Sequence, residues 1–277
     1  TGETQHYQPS RNPWDTDHGT GGSSGGFSAY GGTLGVTLNN STDTNLVWGA
    51  GGFLVNGTTS AGELQFGSIL SDNVITFNNP INLSDQARSI RVFDNPNTTA
   101  DYAIMTGVLS STTPASGAII KQGSGTLVLT ADSTFTGLSS IRGGTLRLGN
   151  GGAGGMLPGN IRLAVTTTTD PALVFDHNTI VTYGGVISVS SGNTAGVLIT
   201  GPATGGVQFN AANTYATRTT IGSGTLRYGI ANALATGSPL TLNSTGTLDL
   251  NTFNGTIASL TDGAGGGGVV INTGATA

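Results

Sequence analysis

The stretch TLVLTADSTFTGLSSIRGGTLRLGN, Thr126 to Asn150, returns without gaps as GVQFNAANTYATRTTIGSGTLRYGI, Gly206 to Ile230. The offset is constant along the whole stretch, and eight of the 25 aligned positions are identical, among them Ile141/Ile221, Thr145/Thr225, Leu146/Leu226 and Arg147/Arg227. Apolar character persists where identity is lost, at Leu127/Val207, Leu129/Phe209 and Phe135/Tyr215. Self-similarity at a fixed spacing marks a repeat architecture. Looser echoes surround the match: MTGVLSS from Met105 against YGGVISV from Tyr183, NIRLAV from Asn160 against PLTLNS from Pro239, and a faint third copy ending at ELQFG from Glu63.

Inside each unit, apolar residues alternate with Thr, Asn or Gly, as in the pairs Leu127 and Leu129, Leu146 and Leu148, Ile161 and Leu163, and Leu248 and Leu250. A period of two with polar partners describes short strands buried on one side. Runs such as GNGGAGG after Leu148 and DGAGGGG before Val269 break any helix between them. A sandwich of such strands would not predict the return of one motif so far along the chain. In a β-solenoid each strand stacks on its equivalent one coil later, about 4.8 Å away, so matching side chains form ladders. The fold expected is therefore all-β, a parallel β-helix shaped as an elongated rod. At about 20–25 residues per coil it would make roughly eleven to fourteen coils and a rod about 50–65 Å long. The ladder expected to fill the interior comprises Leu127, Leu129, Phe135, Ile141, Leu146, Leu148, Val207, Phe209, Tyr215, Ile221 and Leu226. Residues 1–30 read as an N-terminal cap or linker and 31–277 as the solenoid, with the strict repeats at 123–150 and 203–230.

Composition narrows the function classes. Glycine supplies 47 of 277 residues and charged residues only 8%, against about 25% in ordinary globular chains. Glu and Lys together number three, too few for solvated helices. The net charge is −5, and Lys121 and eight arginines are scattered singly, which leaves no basic stripe for nucleic acid. Cysteine is absent and histidine is limited to His6, His18 and His177, so thiolate sites are excluded and zinc is not expected. No apolar run reaches the roughly 20 residues of a membrane span. The chain begins at Thr1 and shows no signal peptide, which reads as an excised piece of something longer.

The repeat unit resembles the autotransporter-associated β-strand repeat, also called the passenger-associated transport repeat. The first copy carries its pattern at Gly123, Ser124, Gly125, Thr126, Leu127, Leu129, Thr134, Phe135, Gly137, Ile141, Gly144, Thr145, Leu146 and Gly149. The second carries it at Asn213, Thr214, Tyr215, Thr219, Ile221, Gly224, Thr225, Leu226 and Gly229. It departs at Gly206 and Val207, where Thr and Leu are expected, and at Thr217, where glycine is expected. The resemblance implies a right-handed β-helical passenger or stalk on the outside of a bacterium, anchored by a separate membrane barrel that this sequence does not contain. Expected partners are further copies of the chain, as oligomers or filaments, and surface glycans or matrix.

Motifs that could carry chemistry read as composition. Gly22, Ser24 and Gly26 fit G-x-S-x-G, but no helix can follow to form a nucleophile elbow. Gly149, Gly151 and Gly154 fit G-x-G-x-x-G with Asp170 beyond, yet the helix that would hold a pyrophosphate is missing, because MLPGNIRLAV is strand-like. Trp14, Asp15, Asp17 and His18 form the densest polar cluster, with too few ligands for a closed metal site. Asp94, Asp101, Asp132, Asp170, Asp176, Asp249 and Asp262 stand apart in sequence, whereas polysaccharide hydrolases need two carboxylates together. Asp176 and His177 are adjacent and would point to opposite faces of a strand. Arg147 and Arg227 should face solvent and meet a neighbouring Asp or Thr. No catalytic residue, cofactor or metal is expected; a polysaccharide-cleaving or glycan-binding β-helix is the alternative.

Overall fold

The computed structural model describes residues 24–50, 53–54, 62–164 and 172–274. Its strands are short, as their glycine and asparagine boundaries require, and every pairing between named strands is parallel. The chain winds repeatedly over three faces, so that each strand lies beside the one a coil earlier. This is the β-solenoid expected from the repeat.

The first face stacks seven strands: Gly25–Phe27, Leu64–Phe66, Ala87–Val92, Ala118–Gln122, Ser139–Ile141, Ile161–Leu163 and Ile187–Val189. The second begins with Leu34–Val36, Ile75–Phe77 and Ala103–Met105 and continues through Thr126–Leu129, Thr145–Gly152, Leu173–His177 and Val197–Thr200. The first parts of Thr219–Tyr228 and Pro239–Asp249 and then Ser259–Asp262 complete it. The third face opens with Leu46–Val47, Ile81–Asn82 and Leu109–Ser110. It resumes as a sheet at Ile180–Tyr183 and runs on through Gly206–Phe209, the second parts of Thr219–Tyr228 and Pro239–Asp249, and Val269–Ile271.

The coils are unequal. On the second face Leu34 pairs with Ile75, Ile75 with Ala103, and Leu127 with Leu146, so the length of chain spent on one coil falls by more than half along the stack. The later steps, from Val197 to Thr219, Leu240 and Leu260, are short and nearly even. The long early coils give about eight complete turns, with ten rungs on the second face, in place of the eleven to fourteen expected from a uniform coil. Nine rung spacings of about 4.8 Å make this stack about 43 Å long, shorter than the rod expected from sequence.

Alternation explains the interior. In Leu64–Phe66, Ile75–Phe77 and Ala103–Met105 the outer two residues are buried and the middle one is half-buried. One continuous apolar cluster runs from Ala29 to Leu248. Each fully buried Leu, Ile or Val adds about 1.5–3 kcal/mol, delivered through neighbouring coils. Two aromatic knots thicken the cluster. Phe77 meets Phe66 with ring centres 5.9 Å apart, and Phe175 meets Phe209 at 5.5 Å and Tyr183 at 5.6 Å.

Corners need different chemistry, because a turning backbone exposes carbonyls to a dry interior. Asn79 donates through Nδ2 to the carbonyls of Ser41, Leu38 and Thr44 at 2.9–3.2 Å, and accepts the Leu38 amide at 2.6 Å. Lys121, fully buried, spends its three ammonium protons on the carbonyls of Gln122, Gly123 and Gly143 at 2.9–3.0 Å, stapling one coil to the next. Arg88 is buried as well, donating to the Leu83 carbonyl at 2.8 Å with its guanidinium 5.7 Å from the Trp48 ring centre.

Candidate functional site

The eleven ladder residues named from sequence occupy the interior. Leu129 is 2% exposed and the other ten are 0% exposed. Their stacking shows what one copy of the motif builds. In the first copy Thr126–Leu129 pairs directly with Thr145–Gly152, Leu127 on Leu146 and Leu129 on Leu148. In the second, Val207 sits on Leu226 and Phe209 on Tyr228. The motif is thus one tight coil that closes by stacking its last strand on its first.

The two copies do not occupy the same faces. Thr126–Leu129 lies on the second face, stacked on Ala103–Met105, whereas Gly206–Phe209 lies on the third, stacked on Ile180–Tyr183. Phe135 follows Thr134, whose amide bonds the Leu109 carbonyl on the third face. Tyr215 follows Thr214, whose amide bonds the Ile187 carbonyl on the first. Ile141 stacks on Leu163 of the first face and Ile221 on Leu242 of the second. Between the copies the chain makes three coils, from Leu127 through Leu146 and Leu173 to Val197, and then crosses to the next face at Val207.

The departures of the second copy have steric causes. A Cβ on Gly206, which has φ +142°, would lie inside the contact distance of the Thr225 carbonyl oxygen, so the threonine of the first copy cannot be repeated there. At Gly137 a Cβ would meet the Gly117 carbonyl oxygen, so glycine is required in the first copy. The second copy, on another face, carries Thr217 at the matching position.

The two motif arginines form matched ion pairs. Arg147 Nη2 donates to Asp176 Oδ2, and Arg227 Nε donates to Asp249 Oδ2 at 2.8 Å. Both arginines are about one third exposed while their carboxylates are buried. Asp249 also accepts from the Asn251 amide at 3.0 Å and from the Thr273 amide and hydroxyl at 3.1 and 2.6 Å. Burial opposes ionisation, but these bonds outweigh it and hold the carboxyl below its usual range. His177 is fully buried, and burial pushes its imidazole below the usual range.

Three polar features were not legible in the sequence. Lys121 and Arg88 lie inside rather than on the surface, and the alternation of Ala118–Gln122 alone could have placed Lys121 there, two positions from buried Ile119. Asp94 and Asp101, apart in sequence, come within electrostatic reach across the turn that joins them. Burial raises the Asp101 carboxyl, and the charge of Asp94 adds to it. Asp101 is committed to the turn, accepting the Asn95 amide at 2.6 Å.

The remaining motifs fall as follows. Gly149 and Gly151 lie on the strand Thr145–Gly152, and the next named element is the strand Ile161–Leu163. Gly22, Trp14, Asp15, Asp17, His18 and Asp170 lie outside the described residues. Among the described residues no group of three or more His, Cys, Asp or Glu could hold a metal ion, and no helix is long and apolar enough to cross a membrane.

Parallel coils, an unbroken apolar ladder and self-stacking motif copies define a β-solenoid built of stacked repeats. Residues 119–148 match the family model of the passenger-associated transport repeat. The chain is also similar to the adhesin BmaC autotransporter of Brucella suis biovar 1 (strain 1330), 41% identical over 70 residues. That match takes in 25% of this chain and 2% of the adhesin's length. No solved structure matches the chain. The chain thus carries a passenger-associated transport repeat at residues 119–148 and is similar in part to an autotransporter adhesin.

Proposed function

We propose that this chain is an extracellular segment of a bacterial surface passenger and works as a non-enzymatic stalk with an adhesive role. One observation carries the reading: a single apolar ladder continues from coil to coil between Ala29 and Leu248. Such a stack gives a stiff spacer whose length scales with coil number. The motif match and the similarity to a protein named as an adhesin support placement outside the cell. The partners such a stalk would meet are further copies of itself and glycans or matrix at the surface it touches.

Intact bacteria bearing the passenger, treated with external protease, test the location: the chain should be cut without lysis, and full protection would overturn the reading. A polysaccharide panel tests the absence of turnover. Release of reducing ends that an Asp101→Asn variant abolishes would favour a hydrolase instead.

A further inference from the structure

The third face has a gap. Its sheet stops at Leu109–Ser110 and returns at Ile180–Tyr183, and the two intervening coils cross this face without strands. Ile180–Tyr183 pairs with Gly206–Phe209 on one side, and among the described residues no strand pairs with its other edge. A lateral cleft of about 500 Å³ opens where that edge faces the earlier coil. Met156, Leu157, Pro158 and Val181 give it apolar walls, and Asp132 and Ser133 lie at its polar end.

One acceptor there is unspent, on the exposed side chain of Asp132. Asp132 Oδ1 takes the amides of Gly155 and Met156 at 2.9 and 3.0 Å, which fixes the carboxylate and leaves Oδ2 without a hydrogen-bond partner among the described residues. The cleft lining includes no Lys, Arg or His, and His177, within electrostatic reach of Asp132, is buried behind it and held below its usual range by burial. The complement of this arrangement is a hydrocarbon stem ending in a cation with several donors, which is the chemistry of a lysine side chain.

We propose that the cleft is a docking site for a lysine of a second polypeptide. Its methylenes lie along Met156 and Val181, its ammonium donates to Asp132 Oδ2, and its backbone runs beside the open edge of Ile180–Tyr183. That edge favours a polypeptide over a free amine, because an unpaired strand edge offers backbone groups that only another chain can pair.

The test is titration of the chain with the capped peptide Gly-Thr-Lys-Thr-Gly, followed by amide shifts at Met156 and Thr182. Saturable binding with a Kd of about 1 mM is expected for so small a contact. Nε-acetylation of the peptide lysine, and separately Asp132→Asn, should each weaken it about tenfold, by removing one charge of the pair. Asp132→Asn retains an oxygen for the two amides, and its melting curve reports whether it folds; the acetylated peptide decides the matter without any variant. Equal binding of the acetylated peptide, undiminished binding by folded Asp132→Asn, or no saturation by about 10 mM, ten times that Kd, would each overturn the proposal. Butylammonium binding as tightly as the peptide would overturn the polypeptide as occupant.

Discussion

In the motif copy that starts at Thr126, the stacked strands lie on the second face; in the copy that starts at Gly206 they lie on the third. Both close a coil over the same length of chain, Leu127 to Leu146 and Val207 to Leu226. Both bury their apolar alternates, and both project an arginine to a carboxylate in the coil that follows. What differs is the face that each copy occupies and the strand beneath it, Ala103–Met105 for the first and Ile180–Tyr183 for the second. The motif therefore encodes a coil and its self-stacking, while the face is set by how much chain the intervening coils consume.

Five experiments test what the two copies share and where they part. Gly206→Thr writes the first copy's residue into the second and should cost about 2–6 kcal/mol, combining strained backbone with overpacking against the Thr225 carbonyl. A Gly206→Thr protein as stable in urea as the parent would mean that the faces are interchangeable.

Leu146→Ala and Leu226→Ala each empty a fully buried ladder position and should each cost about 2–5 kcal/mol. Agreement between the two, read from urea midpoints at fixed slope, is expected if the coil alone sets the energy. A large gap between them would show that the face matters.

Lys121 has no counterpart in the second copy, where Gly201 stands at the matching offset. Burial pushes its ammonium down to about 7. The unfolded chain keeps that lysine protonated up to its ordinary value of about 10.4. Between the two values the unfolded state binds more protons, so stability should rise with pH from about 7 to about 10.4. Lys121→Met should flatten that slope, and an unchanged slope would exonerate Lys121. His177 works the same way lower on the scale: its folded value is depressed, so stability should fall as pH drops below about 6.5, and His177→Phe should remove that fall.

The smallest effect belongs to the ion pairs. Arg147→Ala and Arg227→Ala should each cost about 1 kcal/mol or less, because both arginines are about one third exposed. Arg227→Ala should cost the less of the two, since Asp249 retains the Thr273 and Asn251 donors. Double-mutant cycles with Asp176→Asn and with Asp249→Asn measure the two couplings side by side.

Much of the fold was legible because alternation and repetition are local properties of the chain. Leu127 and Leu129 announce a one-sided strand, and their return as Val207 and Phe209 announces a stack. The face of each copy was not legible, because it depends on the accumulated length of coils such as the long step from Leu34 to Ile75. The coil count was overestimated for the same reason. Interior polar groups stayed hidden because a residue type gives no sign of the carbonyls it will meet; alternation along Ala118–Gln122 turns Lys121 inward but does not announce the corners at Gly123 and Gly143 that take its protons. The cleft at Asp132 and Ser133 arises from a missing sheet, and a strand that fails to form leaves no pattern to detect.

The spacing of the two copies has a geometric corollary. Because the second copy lies a third of a revolution around from the first, Arg147 and Arg227 look outward on different bearings around the long axis. A passenger that multiplied this cassette at the same pitch would wind its outward residues into a screw, presenting every side of the shaft alike to an approaching surface.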